Sequence, residues 1–296
     1  VAAAPPRHGA LPVTLAFGAA SAGASVLFGG GWAELTVTFC IGLGIGMLAR
    51  LLRGEAVRLF EPLAAFLAAG ISLSIARGLV PMSDSIVTLS ALIVLVPGLT
   101  MTVALIELAT RHLVSGMARL AGALTVFLTI AFGVAMGRAL VTMVLPGVPF
   151  DGSVVPLSGW MQWLALGLAP LAFAVLFQAR LRELPWILAA GWVGIAVSRA
   201  GAGELALELQ SFLGALAVGL ISNFFARALD RPASVPLMPG ILLLVPGSFG
   251  YRALDLFLAR DAVAGLETGF QAALVAVALV GGLLVSNVLL PPRRSL

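Results

Sequence analysis

No lysine occurs anywhere in the 296 residues, and there are only two histidines and one cysteine. The lone Cys40 excludes a disulfide framework and a multi-cysteine metal site, and its place within an apolar run is that of a small core residue. His8 and His112 are too far apart in sequence for a zinc-protease motif, so no metal site is expected. Gly42, Gly44 and Gly46 lack the spacing and the preceding strand of a nucleotide loop, whereas Gly42 and Gly46 suit close helix packing. No Ser-His-Asp set, paired carboxylates or phosphate loop is present, which leaves an enzyme without residues to stand on and no cofactor to expect. No basic stripe interleaved with aromatics is present either, so nucleic acid is not an expected partner. A short apolar segment with a small-residue cleavage site is also missing, so no cleavable signal is evident.

Charge is scarce as well. Charged residues make up 10% of the chain, against about a quarter in soluble domains. Hydrophobic residues make up 60%, and the mean hydropathy is +1.11. Such a chain is expected to be an all-α, polytopic membrane protein with the lipid bilayer as its solvent. A span needs about 20 mostly apolar residues, which predicts helices over 10–30, 33–51, 59–80, 85–108 and 114–143. A second set is predicted over 160–179, 184–200, 204–228, 233–258 and 264–290.

The fourth helix of each set carries the same interruption. Residues 92–98 read LIVLVPG and residues 241–247 read ILLLVPG. Proline removes a backbone donor and clashes with the preceding turn, so breaks are expected at Pro97-Gly98 and Pro246-Gly247, with a further one at Pro239. The match runs on at an offset of 149, pairing Ala104 with Ala253, Arg111 with Arg260 and Gly116 with Gly265. Upstream it lays Val26-Leu27-Phe28 on Val175-Leu176-Phe177 and Glu34-Leu35 on Glu183-Leu184. The expected organisation is a duplication: a first five-helix repeat over 1–145, a linker over 146–158 and a second five-helix repeat over 159–296. An odd number of spans per copy makes the two copies inverted. Eleven arginines against five then fall on the side of the N-terminus, with Arg119 inside a span, which places both termini in the cytoplasm.

Broken helices in both halves point to a site near the midplane. A half-helix N-terminus presents free N–H groups and a positive dipole end to an anion. Around the breaks, Pro97, Gly98, Thr100 and Thr102, with Pro246, Gly247, Ser248 and Tyr251, are therefore the candidate substrate-binding set for a small carboxylate or amino acid. Arg119 joins it as an ionisable group within a span, able to pair with Glu107 or meet a substrate carboxylate, and Arg252 joins it beside Asp255 on one helix face. Glu107 and Asp255 follow the two breaks and are the proton-coupling candidates. Asn223 and Asn287 are expected to bond across helices.

Several phrases resemble the threonine/serine exporter family of bacterial membrane proteins. They are LFGGGWAEL (27–35), FEPLAAFLAAG (60–70), VPGLTMTVALIELATRHLVSGMARL (96–120), SFLGALAVGLISNFFAR (211–227) and VPLMPGILLLVPGSFGYRALDLFLARDAVAG (235–265). The resemblance implies export of threonine and serine across the inner membrane driven by the proton motive force; some relatives handle small dicarboxylates such as succinate instead. It also implies that the halves can exist as separate polypeptides, and that complete members usually carry a cytosolic segment ahead of the first span, which is not among these residues. A channel and a membrane subunit needing a separate partner are the alternatives the residues leave open, and small-residue helix faces would suit a homo-oligomer.

Overall fold

The computed structural model describes residues 7–146, 154–201, 205–242, 244 and 247–292. Among these residues every element is helical: α1 (Ala10–Leu27), α2 (Trp32–Leu51), α3 (Phe60–Gly78), α4 (Asp84–Ala91), α5 (Gly98–Ala109), α6 (Leu113–Val144), α7 (Gly159–Leu176), α8 (Leu184–Ala200), α9 (Leu207–Leu229), α10 (Ser234–Leu242), α11 (Gly247–Leu258) and α12 (Ala262–Leu289). Short 3-10 turns over Gly54–Leu59 and Leu181–Glu183 lead into α3 and α8.

Where single helices are expected over 85–108 and 233–258, the described residues form two shorter helices each. After Ala91 the chain leaves the α-helix in tight turns, the amide of Leu95 bonding the carbonyl of Leu92 at 2.8 Å, and helix resumes at Gly98. In the second half Leu244 bonds Ile241 at the same 2.8 Å, and helix resumes at Gly247. Pro246 lies outside the described residues, as do residues 147–153 of the expected linker. The break expected at Pro239 is not there: α10 runs through this proline to Leu242. Pro239 is the sixth of nine residues and is buried, held within the helix packing at the loss of its own backbone donor.

Seven of the helices, α1, α2, α3 with its leading turn, α6, α7, α9 and α12, are long and apolar enough to cross a membrane. Their outward surfaces are apolar too. Along α6 the exposed side chains include Leu124, Leu128, Phe132, Met136 and Leu140 at helical spacing. Helices apolar on every face belong in lipid, and the chain is a multi-pass membrane protein. Cys40, expected in the core, is exposed on α2 and lines an apolar groove against Leu67 and Ile71 of α3. An apolar neighbourhood in sequence does not separate core from lipid contact when both are apolar.

The contacts divide the chain into two compact units, Val1–Val96 with Thr125–Leu176, and Pro97–Leu124 with Phe177–Leu296. The division cuts across the two halves of the sequence.

In the first unit, α1 packs on α2, α4 and α7. Close approach depends on glycine: a Cβ at Gly42 would stand 2.7 Å from the Ser21 hydroxyl, and one at Gly46 would stand 3.1 Å from Thr14 Cα. Arg138 of α6 donates to the Asp84 carboxylate at 3.1 Å.

In the second unit, α9 packs on α8, α10 and α12 around Ala190, Val218, Ile241 and Leu279. Two residues of α5, Leu99 and Ile106, pack onto this same core. Asn223 of α9 donates to Asn287 of α12 at 2.8 Å, the interhelical bond expected of these residues.

Candidate functional site

The second unit contains both helices that follow a break, α5 and α11, and both returning segments, the start of α6 and α12. The two turns are built alike. Thr110 and Ala259 donate to the carbonyls of Ile106 and Asp255, both at 2.9 Å; His112 and Asp261 donate to Glu107 and Leu256 at 2.8 and 3.0 Å. Between them Arg111 and Arg260 each sit in the left-handed region with φ of 65°. This is a helix C-cap of the Schellman type, in which the left-handed residue allows the last carbonyls to be satisfied. Gly116 and Gly265 then let the next helix fold back: a Cβ on Gly116 would stand 2.8 Å from Leu108 Cγ, and one on Gly265 would stand 3.1 Å from the Phe257 ring.

On this shared frame the two halves place different side chains. In the first, Arg119 donates through Nε to Oε1 of Glu107 at 2.8 Å, which closes the space between α5 and α6. The equivalent positions in the second half are Thr268 and Leu256, which cannot pair. Here a cavity of about 300 Å³ opens between α11 and α12, lined by Phe249, Arg252, Asp255, Leu256, Thr268 and Gln271. Both charges of the second half, Arg252 and Asp255, lie on α11. A guanidinium, a carboxylate, a hydroxyl and an amide thus line one space beside Phe249 and Leu256, the donor and acceptor set that matches a zwitterion carrying a further polar group.

The expected site residues divide accordingly. Arg252 and Asp255 line the cavity. Pro97 caps α5 and Gly98 is its buried first residue, whereas Thr100 is exposed. The hydroxyl of Thr102 is buried and committed to its own helix, donating to the Gly98 carbonyl at 3.0 Å. Tyr251 is 3% exposed and lies within the helix packing. Gly247 begins α11, and the side chain of Ser248 is outside the described residues. Glu107 and Arg119 have each other as partners.

Sequence reading missed Thr268 and Gln271, which nothing in their local pattern distinguishes from other polar residues of a span. It also passed over Glu34 and Glu183, although their shared offset was visible. Both carboxylates are buried and turn back to cap their own chain, accepting from Gly31 at 2.8 Å and from Arg180 at 3.0 Å. Their other oxygens differ in partner: Glu34 accepts from the Ser83 amide at 2.9 Å, and Glu183 accepts from the Arg231 guanidinium at 2.7 Å.

Comparison with known proteins gives matches on both halves. Residues 1–141 match a threonine/serine exporter family model, and residues 162–289 match a second, described as "Threonine/Serine exporter, ThrE". Among curated proteins, "Pheromone-regulated membrane protein 10" of Saccharomyces cerevisiae S288c is 27% identical over 231 residues, 74% of this chain and 59% of that protein. The protein of the same name from Candida glabrata is 26% identical over 231 residues, covering 74% of this chain and 29% of its own length. That from Eremothecium gossypii is 24% identical over 258 residues, covering 84% and 35%. The chain thus spans from about three-tenths to three-fifths of the length of these relatives. No solved structure matches.

Proposed function

The chain belongs to the threonine/serine exporter family, and from that premise we propose that it is a secondary carrier moving small hydroxylated amino acids out of the cell. The observation that carries this reading is the α11–α12 cavity, where Arg252 suits a substrate carboxylate, Asp255 an ammonium group, and Thr268 and Gln271 a side-chain hydroxyl. Arg252 and Gln271 are exposed and Asp255 and Thr268 half-buried, so a polar substrate can reach all four groups. Asp255 would repel the second carboxylate of succinate, which favours an amino acid over a dicarboxylate.

In this proposal the ten helix positions are two inverted five-helix repeats in the inner (plasma) membrane, with both termini cytoplasmic and two broken fourth helices. Export draws on the proton motive force, with Asp255 and Glu107 as the acidic groups that couple to it. The half-helix starts at Gly98 and Gly247 add a positive dipole end on the side of each break.

Reconstituted vesicles test the proposal. Labelled threonine should exchange against unlabelled threonine and serine and respond to an imposed pH gradient, while succinate competes poorly. Arg252→Gln and Asp255→Asn should each lower exchange by about tenfold or more, the loss expected for one charge-assisted bond. Succinate competing as well as serine would overturn the substrate assignment, and exchange indifferent to both substitutions would move the site elsewhere.

A further inference from the structure

The helix pairs α2–α3 and α8–α9 hold matching places in the two halves of the sequence, and they pack differently. In the second unit α9 lies directly on α8, and glycine permits the approach: a Cβ on Gly214 would stand 3.0 Å from the Gly194 carbonyl oxygen, and one on Gly194 would run into Val218. At the offset of 149 these positions are Ala65 of α3 and Ile45 of α2. The first pair carries side chains where the second has none, and a groove of about 350 Å³ lies between α2 and α3.

Cys40, Gly44 and Leu48, at successive turns of α2, form one wall of this groove, and Leu67, Ile71 and Ile75 form the other on α3. Its lining is apolar apart from the Cys40 thiol and Thr36, whose hydroxyl is committed to the Trp32 carbonyl at 2.8 Å. The groove is open along its length. Cys40 and Gly44 are exposed, Leu67 and Ile71 are 39% and 43% exposed, and a Cβ on Gly44 would meet nothing within 4 Å. Both helices are long and apolar enough to cross a membrane, so the opening faces lipid. From Thr36 to Leu48 the groove follows α2 for about 18 Å, and from Leu67 to Ile75 it follows α3 for about 12 Å. One leaflet of hydrocarbon is about 15 Å deep. An acyl chain lying along the helices matches that length.

The end of the groove is charged. Leu48 lies one turn from the end of α2, where the connector over residues 52–59 leads back to α3. Arg53 and Arg58 stand on this connector, both exposed, and neither forms an ion pair with another described residue. Counting Arg50 before it, Glu55 within it and Glu61 after it, three arginines face two glutamates, which leaves one positive charge in excess. The second half separates what belongs to the groove from what does not. Arg50 and Glu55 recur there as Arg199 and Glu204, whereas Arg53 and Arg58 correspond to Ala202 and Leu207. Groove and arginines occur together in the first half, and the half with the closed helix pair lacks both arginines.

Guanidinium groups bind phosphate oxygens two at a time, and basic segments at the ends of spanning helices attract anionic lipid. An apolar slot that ends at unpaired guanidiniums suits a molecule with an acyl tail and an anionic head. We infer that the α2–α3 groove holds one acyl chain of an anionic phospholipid, whose phosphate rests on Arg53 and Arg58. The lipid fills between α2 and α3 the space that Gly194 and Gly214 close between α8 and α9.

The test titrates the purified full chain, stripped of lipid in detergent, with dioleoylphosphatidylglycerol, dioleoylphosphatidylcholine or glycerol 3-phosphate, and counts the bound molecules by native mass spectrometry. The wild type should retain one phosphatidylglycerol saturably, bind phosphatidylcholine about tenfold or more weakly, and ignore glycerol 3-phosphate. Cys40, the only thiol in the chain, reports the groove directly, because bound phosphatidylglycerol should slow its alkylation by N-ethylmaleimide. Arg53→Gln combined with Arg58→Gln should weaken phosphatidylglycerol by about tenfold or more and leave phosphatidylcholine unchanged. Arg199→Gln, at an exposed arginine near the end of α8, should behave as the wild type. Gly44→Leu should fill the groove, lower retention of both lipids, and leave the stripped protein melting at least as high. Equal retention of the two phospholipids would overturn the inference, as would phosphatidylglycerol binding that survives both glutamine substitutions or leaves Cys40 alkylation unchanged. Glycerol 3-phosphate binding as tightly as the lipid would overturn the role of the groove, and a lipid-free dimer dissociated by Gly44→Leu would make the occupant a second copy. Binding is read without amino acid, so its failure leaves the transport proposal standing and the failure of exchange leaves this one standing.

Discussion

Arg119 and Glu107 face each other across the turn between α5 and α6, Nε to Oε1 at 2.8 Å, with side-chain exposures of 54% and 22%. Half-exposed ion pairs contribute little, because solvent screens the attraction and two long side chains must be held still. Arg119→Ala should therefore change unfolding free energy by about 1 kcal/mol or less, measured by chemical denaturation in detergent. The second oxygen of Glu107 is buried without a partner, so Glu107→Gln should be better tolerated than a buried carboxylate would suggest. A loss of several kcal/mol in either variant would show that the pair sits in a drier setting than its exposure indicates.

The Glu183–Arg231 pair is the stronger one. Glu183 is 8% exposed at its side chain and also caps the turn at Arg180. Removing Arg231 strands a buried carboxylate. With a third of the arginine exposed, Arg231→Ala should cost roughly 2–3 kcal/mol, below the range for fully buried pairs. Glu183→Gln with Arg231→Ala should recover part of that loss. A double-mutant cycle in thermal unfolding measures the coupling.

Gly133 and Gly282 occupy equivalent places on α6 and α12. A Cβ at Gly133 would run into the Pro62 carbonyl oxygen, and one at Gly282 into the Phe212 carbonyl oxygen. Backbone cannot yield as a side-chain tip can. Either glycine replaced by alanine should lose about 1–3 kcal/mol, while Gly122→Ala on α6, where a Cβ meets nothing within 4 Å, should be neutral or mildly stabilising. Melting temperatures of the three variants separate these outcomes.

Arg111 and Arg260 hold a left-handed backbone without being glycine. Arg111→Gly should leave stability unchanged or raise it by up to about 1 kcal/mol, since relief of the Cβ clash outweighs the entropy lost by glycine. Arg111→Val should lower it by about 1–2 kcal/mol, because β-branching crowds that conformation further. The same ordering is expected at position 260.

Much of this architecture was legible because hydropathy and duplication are coarse, redundant signals. The helix positions followed from apolar run lengths, and the breaks followed from two LVPG strings. Pro239 misled because packing can hold a helix through a proline, which a string does not reveal. Cys40 misled because core and lipid ask for the same side chains. Of the residues that line the α11–α12 cavity, Arg252 and Asp255 stood out in the sequence as charges in apolar surroundings. Thr268 and Gln271 did not, since polarity alone does not say which face of α12 meets α11.

One further consequence concerns any gene in which the two halves are written separately. Because Leu99 and Ile106 rest on a core supplied by α8, α9, α10 and α12, a product ending near residue 146 would emerge with an apolar segment whose natural cover is encoded elsewhere. Such halves would have to be synthesised together and in equal amounts. An orphaned first half would leave Leu99 and Ile106 without the core on which they pack.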